Sequence, residues 1–202
     1  MRVSSARYGT VAIVFHWTIA LAILAMLPLG WWMTSAINDP ANMGAAFKAY
    51  QIHKSIGLTV LVLSVLRLLW RLTHPVPPLP PEMKGWEKLA AHLTHIGFYI
   101  LIIALPLTGW IYVSAGWSAS TDSPFAIPTI WFGYFEWPHI SMIAGAGDAT
   151  RSTTARLSLE AHEWLGWGAT ALIVLHVAAA LKHHLVNHDD VLNRMLPRFR
   201  RD

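Results

Sequence analysis

The sequence predicts an all-α integral membrane protein, a four-helix bundle with both termini in the cytoplasm. Three observations lead there. Four apolar runs are each about 20 residues or longer, enough at 1.5 Å per residue to cross a hydrocarbon core of about 30 Å. Only 13% of the 202 residues are charged and 54% are hydrophobic, where a soluble domain carries about 25% charge. Lys and Arg gather on one side of the runs. The eleven Trp suit a protein with two bilayer interfaces.

The runs cover about residues 11–33, 50–70, 89–113 and 157–181 of a single domain, 1–202. The first follows Arg2 and Arg7 as a secretory leader would. It is too long for a leader's apolar segment, and no clear A-x-A site follows it, so it reads as a retained span. One side of the runs holds Arg2, Arg7, Arg67, Arg71, Lys84, Lys88, Lys182, Arg194, Arg198, Arg200 and Arg201; the other holds Lys48, Lys54, Arg151 and Arg156. The positive-inside rule makes the first side cytoplasmic. The formal charge of +4 therefore belongs to membrane flanks and does not signal nucleic acid. A proline-rich stretch from His74 to Pro81 forms a stiff link between the second and third runs. The outer loop 114–156, with Trp131, Phe132, Tyr134, Phe135 and Trp137, is expected to lie along the interface or to cap the bundle.

The absence of Cys excludes disulfides, thiolate-held iron–sulfur clusters and covalent c-type haem. No hydrolase elbow, phosphate-binding loop or carboxylate pair stands out. Glu160 and Glu163 flank His162 as interface or supporting residues.

Ionisable residues within a span are costly and so point to function. His53 and His162 lie near the outer ends of their runs, His16 near the inner end of its own. His176 follows His162 by 14 residues, which returns to within about 40° of the same helix face and about 21 Å further along. This suggests two couples at two depths, His53 with His162 and His16 with His176. Two imidazoles on facing helices suit the axial positions of a haem iron, whereas zinc commonly wants four ligands. Gly57 and Gly166 each follow a histidine by four residues, where a flat macrocycle could lie close to the backbone; plain helix packing is the ordinary use of such glycines. Arg67 shares the face of His53 at the inner level, and Arg71 is one turn beyond. Both suit the propionates of an inner haem, and both equally suit membrane-flank anchors.

A lone buried histidine is more often a packing residue than a ligand; four matched in depth reverse that balance. His92 and His95 read as an interfacial pair, with a role beside a propionate or a quinone as the alternative. His183, His184 and His188 read as a polar flank. Lys54, beside His53, could attract a small anion together with Lys48, Arg151 and Arg156, or be solvated loop charge.

These residues carry a resemblance. Phe-His16-Trp, His53-x-x-x-Gly57, Arg67-Leu-Leu-Trp-Arg71, Ala-His92-Leu-Thr-His95, Pro106-Leu-Thr-Gly109, His162-Glu and Leu-His176-Val, through His184, are similar to the bacterial cytochrome b-561 family, kin of the haem-bearing membrane subunits of nickel hydrogenases. The resemblance spans nearly the whole chain and implies two haem b groups held by His16, His53, His162 and His176. It implies a multi-pass protein of the bacterial inner membrane. One branch of that family oxidises superoxide at the outer face and reduces ubiquinone, which implies a superoxide:quinone oxidoreductase here. A second role, electron-transfer subunit for a partner redox protein, stays open, as does a His-lined metal or proton transporter outside the family.

Overall fold

The computed structural model describes residues 7–197. Its four long helices are α1 (Thr10–Ala36), α2 (Met43–Thr73), α3 (Gly85–Ala115) and α5 (Asp148–Leu185), and each is long and apolar enough to cross a membrane. They form a helical membrane bundle. A fifth, α4 (Ser141–Ala144), is a single turn. The helices outrun the apolar windows because polar turns continue them past the hydrocarbon; α5 starts at Asp148, nine residues before the expected 157. Helix α2 ends at His74, whose extended backbone is what the following Pro75 requires. Pro28 lies inside α1 and Pro106 inside α3, each removing one intrahelical N–H donor.

The packed core is Ile19 of α1, Val60 of α2 and Ile102 of α3, surrounded by Ala22, Ile23, Ile56, Leu63, Tyr99 and Ile103. Helix α5 contributes no residue to this cluster. It packs chiefly along α3, where a Cβ on Gly97 would meet Leu172 Cδ2 at 3.2 Å. Aromatic rings of α5 meet rings of α1 and α2, among them the stacked pair Trp31 and Trp167 at 5.2 Å. Outward, all four long helices present apolar side chains such as Leu21, Leu69, Ile100 and Leu175, as lipid requires of a span apolar all round.

The outer loop, expected to lie along the interface or to cap the bundle, folds into two short hairpins. Strand β1 (Trp117–Ser118) pairs antiparallel with β2 (Ser123–Pro124), and β3 (Thr129–Trp131) with β4 (Phe135–Trp137). Below this cap Arg151, in the first turn of α5, joins that helix to the end of α3, donating from Nε to the Ala115 carbonyl at 2.6 Å and from Nη2 to the Gly116 carbonyl at 2.9 Å. Gly116 sits at φ 57°, where a side chain would be strained and would press on Arg151.

At the opposite end the two chain ends meet. Tyr8 donates its amide to the Arg194 carbonyl, Arg7 donates to Leu196, and the Trp17 indole donates to Met195 at 2.8 Å. Arg7, Arg67, Arg71, Lys84, Lys88, Lys182 and Arg194 lie at this end; Arg2, Arg198, Arg200 and Arg201 fall outside the described residues. Lys182 reaches Glu87 at 2.6 Å, and Arg194 reaches Asp190 at 2.7 Å.

Candidate functional site

The four histidines singled out by depth meet in two couples. His53 of α2 faces His162 of α5 with ring centres 6.0 Å apart and planes 66° apart. His16 of α1 faces His176 of α5 at 6.3 Å and 62°. One couple lies toward the cap, the other toward the chain ends. Two metal–imidazole bonds of about 2 Å, plus about 1 Å from each nitrogen to its ring centre, add to about 6 Å. Each couple therefore has the spacing of two imidazoles on one metal ion. Among the described residues, no group of three or more His, Asp or Glu is arranged to hold a metal by itself.

His162 is the most tightly oriented of the four. Its Nδ1 donates to the Leu105 carbonyl at 2.8 Å, with the Thr108 hydroxyl 3.2 Å away. A proton fixed on Nδ1 leaves Nε2 bare, the tautomer a metal takes. Gly109 forms the wall: a Cβ there would stand 3.2 Å from His162 Cε1. Gly30 plays the looser counterpart for His53, 3.5 Å from its Cε1. His53 Nδ1 is buried with no hydrogen-bond partner, a cost that folded proteins seldom accept outside functional sites.

Around the second couple, Arg67 Nη2 lies 3.3 Å from His16 Nδ1 and its guanidinium stands over the Tyr99 ring at 5.7 Å. Arginine only donates, so His16 accepts through Nδ1 here and carries its proton on Nε2. Arg71 is exposed in the last turn of α2.

Sequence reasoning missed three features. His95 does not form an interfacial pair with His92: its ring centre is 6.1 Å from that of His176, while His92 bonds the Lys88 carbonyl. His176 thus has two imidazole neighbours at nearly equal distance. Gly30 and Gly109 escaped notice because they press on histidines from neighbouring helices, and only their place near Pro28 and Pro106 hinted at a special use. Of the glycines that were noticed, Gly166 faces open space and Gly57 is approached by Met26 Cε at 3.7 Å.

The outer cations are less free than a positive mouth would need. Lys54 donates to the Pro128 carbonyl at 3.0 Å, and Arg151 is committed to the end of α3. Lys48 and Arg156 are exposed.

A bundle of membrane-spanning helices whose interior offers facing imidazoles belongs to the class of membrane electron carriers. The comparisons with known proteins agree and go further. The family model for prokaryotic cytochrome b561 matches residues 7–198. Cytochrome b561 homolog 2 of Escherichia coli (strain K12) is 35% identical over 191 residues, 94% of this chain and 91% of that protein. Cytochrome b561 homolog 1 of the same strain is 29% identical, covering 95% of this chain and 98% of its own. A protein of Yersinia pestis named probable superoxide oxidase CybB is 28% identical, with 96% of this chain and 98% of that one covered. The chain belongs to the prokaryotic cytochrome b561 family. It is a multi-pass electron-transfer protein of the bacterial inner membrane, and its family is one of haem b.

The residues present fit that group. The donor set is imidazole, His162 holds the ligating tautomer, the Nδ1 of His53 is buried without a partner among the described residues, and a Cβ at Gly166 or Gly168 would meet nothing within 4 Å.

Proposed function

We propose that this protein is a di-haem oxidoreductase that passes electrons from superoxide, or another donor at the outer face, to ubiquinone. The observation that carries it is the pair of imidazole couples standing between α5 and the α1–α3 core, at two depths. When bound there, two haem b groups would supply one-electron redox chemistry at either end of the bundle. His53 and His162 would hold the outer one, His16 and His176 the inner one.

The choice of His16 over His95 rests on packing. Helices α3 and α5 touch at Gly97 and Leu172, close to His95 and His176, and a flat group between them would have to part the two helices. No comparable backbone contact ties α1 to α5. Arg67 would turn from His16 Nδ1 to a propionate once the His16 proton moves from Nε2 to Nδ1, and Arg71 would assist. Gly57 and Gly166 would let a macrocycle approach α2 and α5, with the flexible Met26 yielding over Gly57.

For superoxide as donor, two superoxide anions would give two dioxygen molecules while one quinone gains two electrons and two protons. Lys54 would favour the anion's approach to the outer couple. Both termini would lie in the cytoplasm, as the Lys and Arg asymmetry implies. The commitment of Lys54 and Arg151 to backbone carbonyls favours a second reading, an electron-transfer subunit for a partner redox protein. Purified protein supplied with a superoxide source and a soluble ubiquinone decides between them. Ubiquinol formation that superoxide dismutase abolishes supports the first; turnover only with an added redox protein supports the second.

A further inference from the structure

Hairpin β3–β4 runs down the flank of α2 toward the bilayer. Its descent can be followed bond by bond. The Pro128 carbonyl accepts from Gln51 Nε2 and Lys54 Nζ, both at 3.0 Å. The Ile130 amide donates to Gln51 Oε1 at 3.3 Å, and the Phe132 amide to Ser55 Oγ at 3.1 Å. The Trp131 indole donates to Thr59 Oγ1 at 3.1 Å. From Gln51 to Thr59 the axis of α2 advances about 12 Å. The tip of the hairpin is therefore its part nearest the hydrocarbon.

The height of that tip can be read from its neighbours. Ser55, which receives the Phe132 amide, lies five residues inside the expected 50–70 run, about 7.5 Å below its outer end, a depth that suits an interfacial aromatic tip.

The backbone is prepared for that place. Thr129 opposes Trp137, Ile130 opposes Glu136, and Trp131 opposes Phe135. Ile130 and Phe132 turn their amides away from β4 and onto α2, where Gln51 and Ser55 accept them. An uncovered strand edge is not tolerated against lipid; this one is covered by polar side chains of a spanning helix. The tip's exposed side chains are aromatic: Phe132 at 46%, Tyr134 at 82% and Phe135 at 48% exposure. Ile52 and Val62 of α2 are exposed apolar residues as well.

We infer that the β3–β4 tip is a lipid anchor, with Phe132, Tyr134 and Phe135 seated at the headgroup–acyl boundary of the leaflet on the capped side. The occupant of this aromatic surface is lipid, and the inference stands apart from the redox reading. An aromatic wedge at this level gains from burying its rings while the Tyr134 hydroxyl stays at the headgroups.

The chain has no Cys, so one introduced thiol is a unique label site. Tyr134→Cys, Ser120→Cys in the exposed β1–β2 turn and Val62→Cys on the outward face of α2 are each spin-labelled and reconstituted into phosphatidylethanolamine–phosphatidylglycerol vesicles. Collision rates with oxygen and with a water-soluble nickel chelate are then compared. The oxygen-to-nickel ratio at 134 should exceed that at 120 by on the order of threefold or more and approach that at 62. A ratio at 134 equal to that at 120 overturns the anchor. So does spin–spin broadening at 134, which would put a second copy of the chain there. If Tyr134→Cys fails to fold, Phe135→Cys is read against the same two outcomes.

Discussion

Gly109 offers a sharp perturbation of one histidine couple. A Cβ at this position stands 3.2 Å from His162 Cε1 and 3.4 Å from Nδ1, so Gly109→Ala requires the ring to give by a few tenths of an ångström. The ring is held by its 2.8 Å bond to the Leu105 carbonyl, and the displacement weakens that bond. A hydrogen bond contributes about 0.5–1.5 kcal/mol net, while Gly to Ala inside a helix returns about 1 kcal/mol. The two nearly cancel, so Gly109→Ala should leave the melting temperature close to wild type. Gly109→Val adds two methyl groups against the same ring and cannot be relieved by a small shift; on the di-haem reading proposed above, it should remove the haem assigned to His53 and His162 and spare the other. Gly166→Val, where nothing lies within 4 Å of the new Cβ, should fold as wild type yet bind less of the same haem, because the proposed macrocycle lies over that position. Haem content by pyridine haemochrome, with redox-resolved spectra, reads the result. Full haem content and an unchanged outer spectrum in Gly109→Val would refute the claim that this glycine walls a ligand.

Three further outcomes follow from the same geometry. His16→Phe should halve the haem content while His95→Phe keeps it, and the reverse pattern in haemochrome assays would make His95 the partner of His176. Lys54→Gln should lower superoxide-dependent quinone reduction by about 2- to 5-fold at low ionic strength, a deficit that fades at high salt; an equal deficit at every salt concentration would mean that only its bond to Pro128 matters. Arg151→Ala leaves the Ala115 carbonyl without its 2.6 Å partner, while Gly116 keeps the Phe125 amide, and should cost about 1–3 kcal/mol, seen as a lower melting temperature with an unaltered haem spectrum.

The four spans were legible because lipid imposes one rule on every residue: about 20 apolar positions with internally closed backbone bonds. The histidine couples were legible because 14 residues fix both the height and the face of a helix. His95 was not, since its nearness to His176 depends on how α3 rolls against α5, and a contact such as Gly97 on Leu172 sets that roll. Gly109 was hidden for the same reason: its neighbour His162 is 53 residues away in the chain. The β3–β4 hairpin escaped because its strands are three residues long and lean on Gln51, Ser55 and Thr59 of a distant helix, so local pattern carried little of its signal. Counting cations at the outer face overlooked that Lys54 and Arg151 have backbone carbonyls to serve.

Haem stoichiometry in purified protein, compared with His53→Ala and His162→Ala, probes the central claim most directly. The account predicts two haem b per chain in the wild type and one in each variant, with the same spectral component lost from both. One haem in the wild type, or a different component lost from each variant, would contradict it.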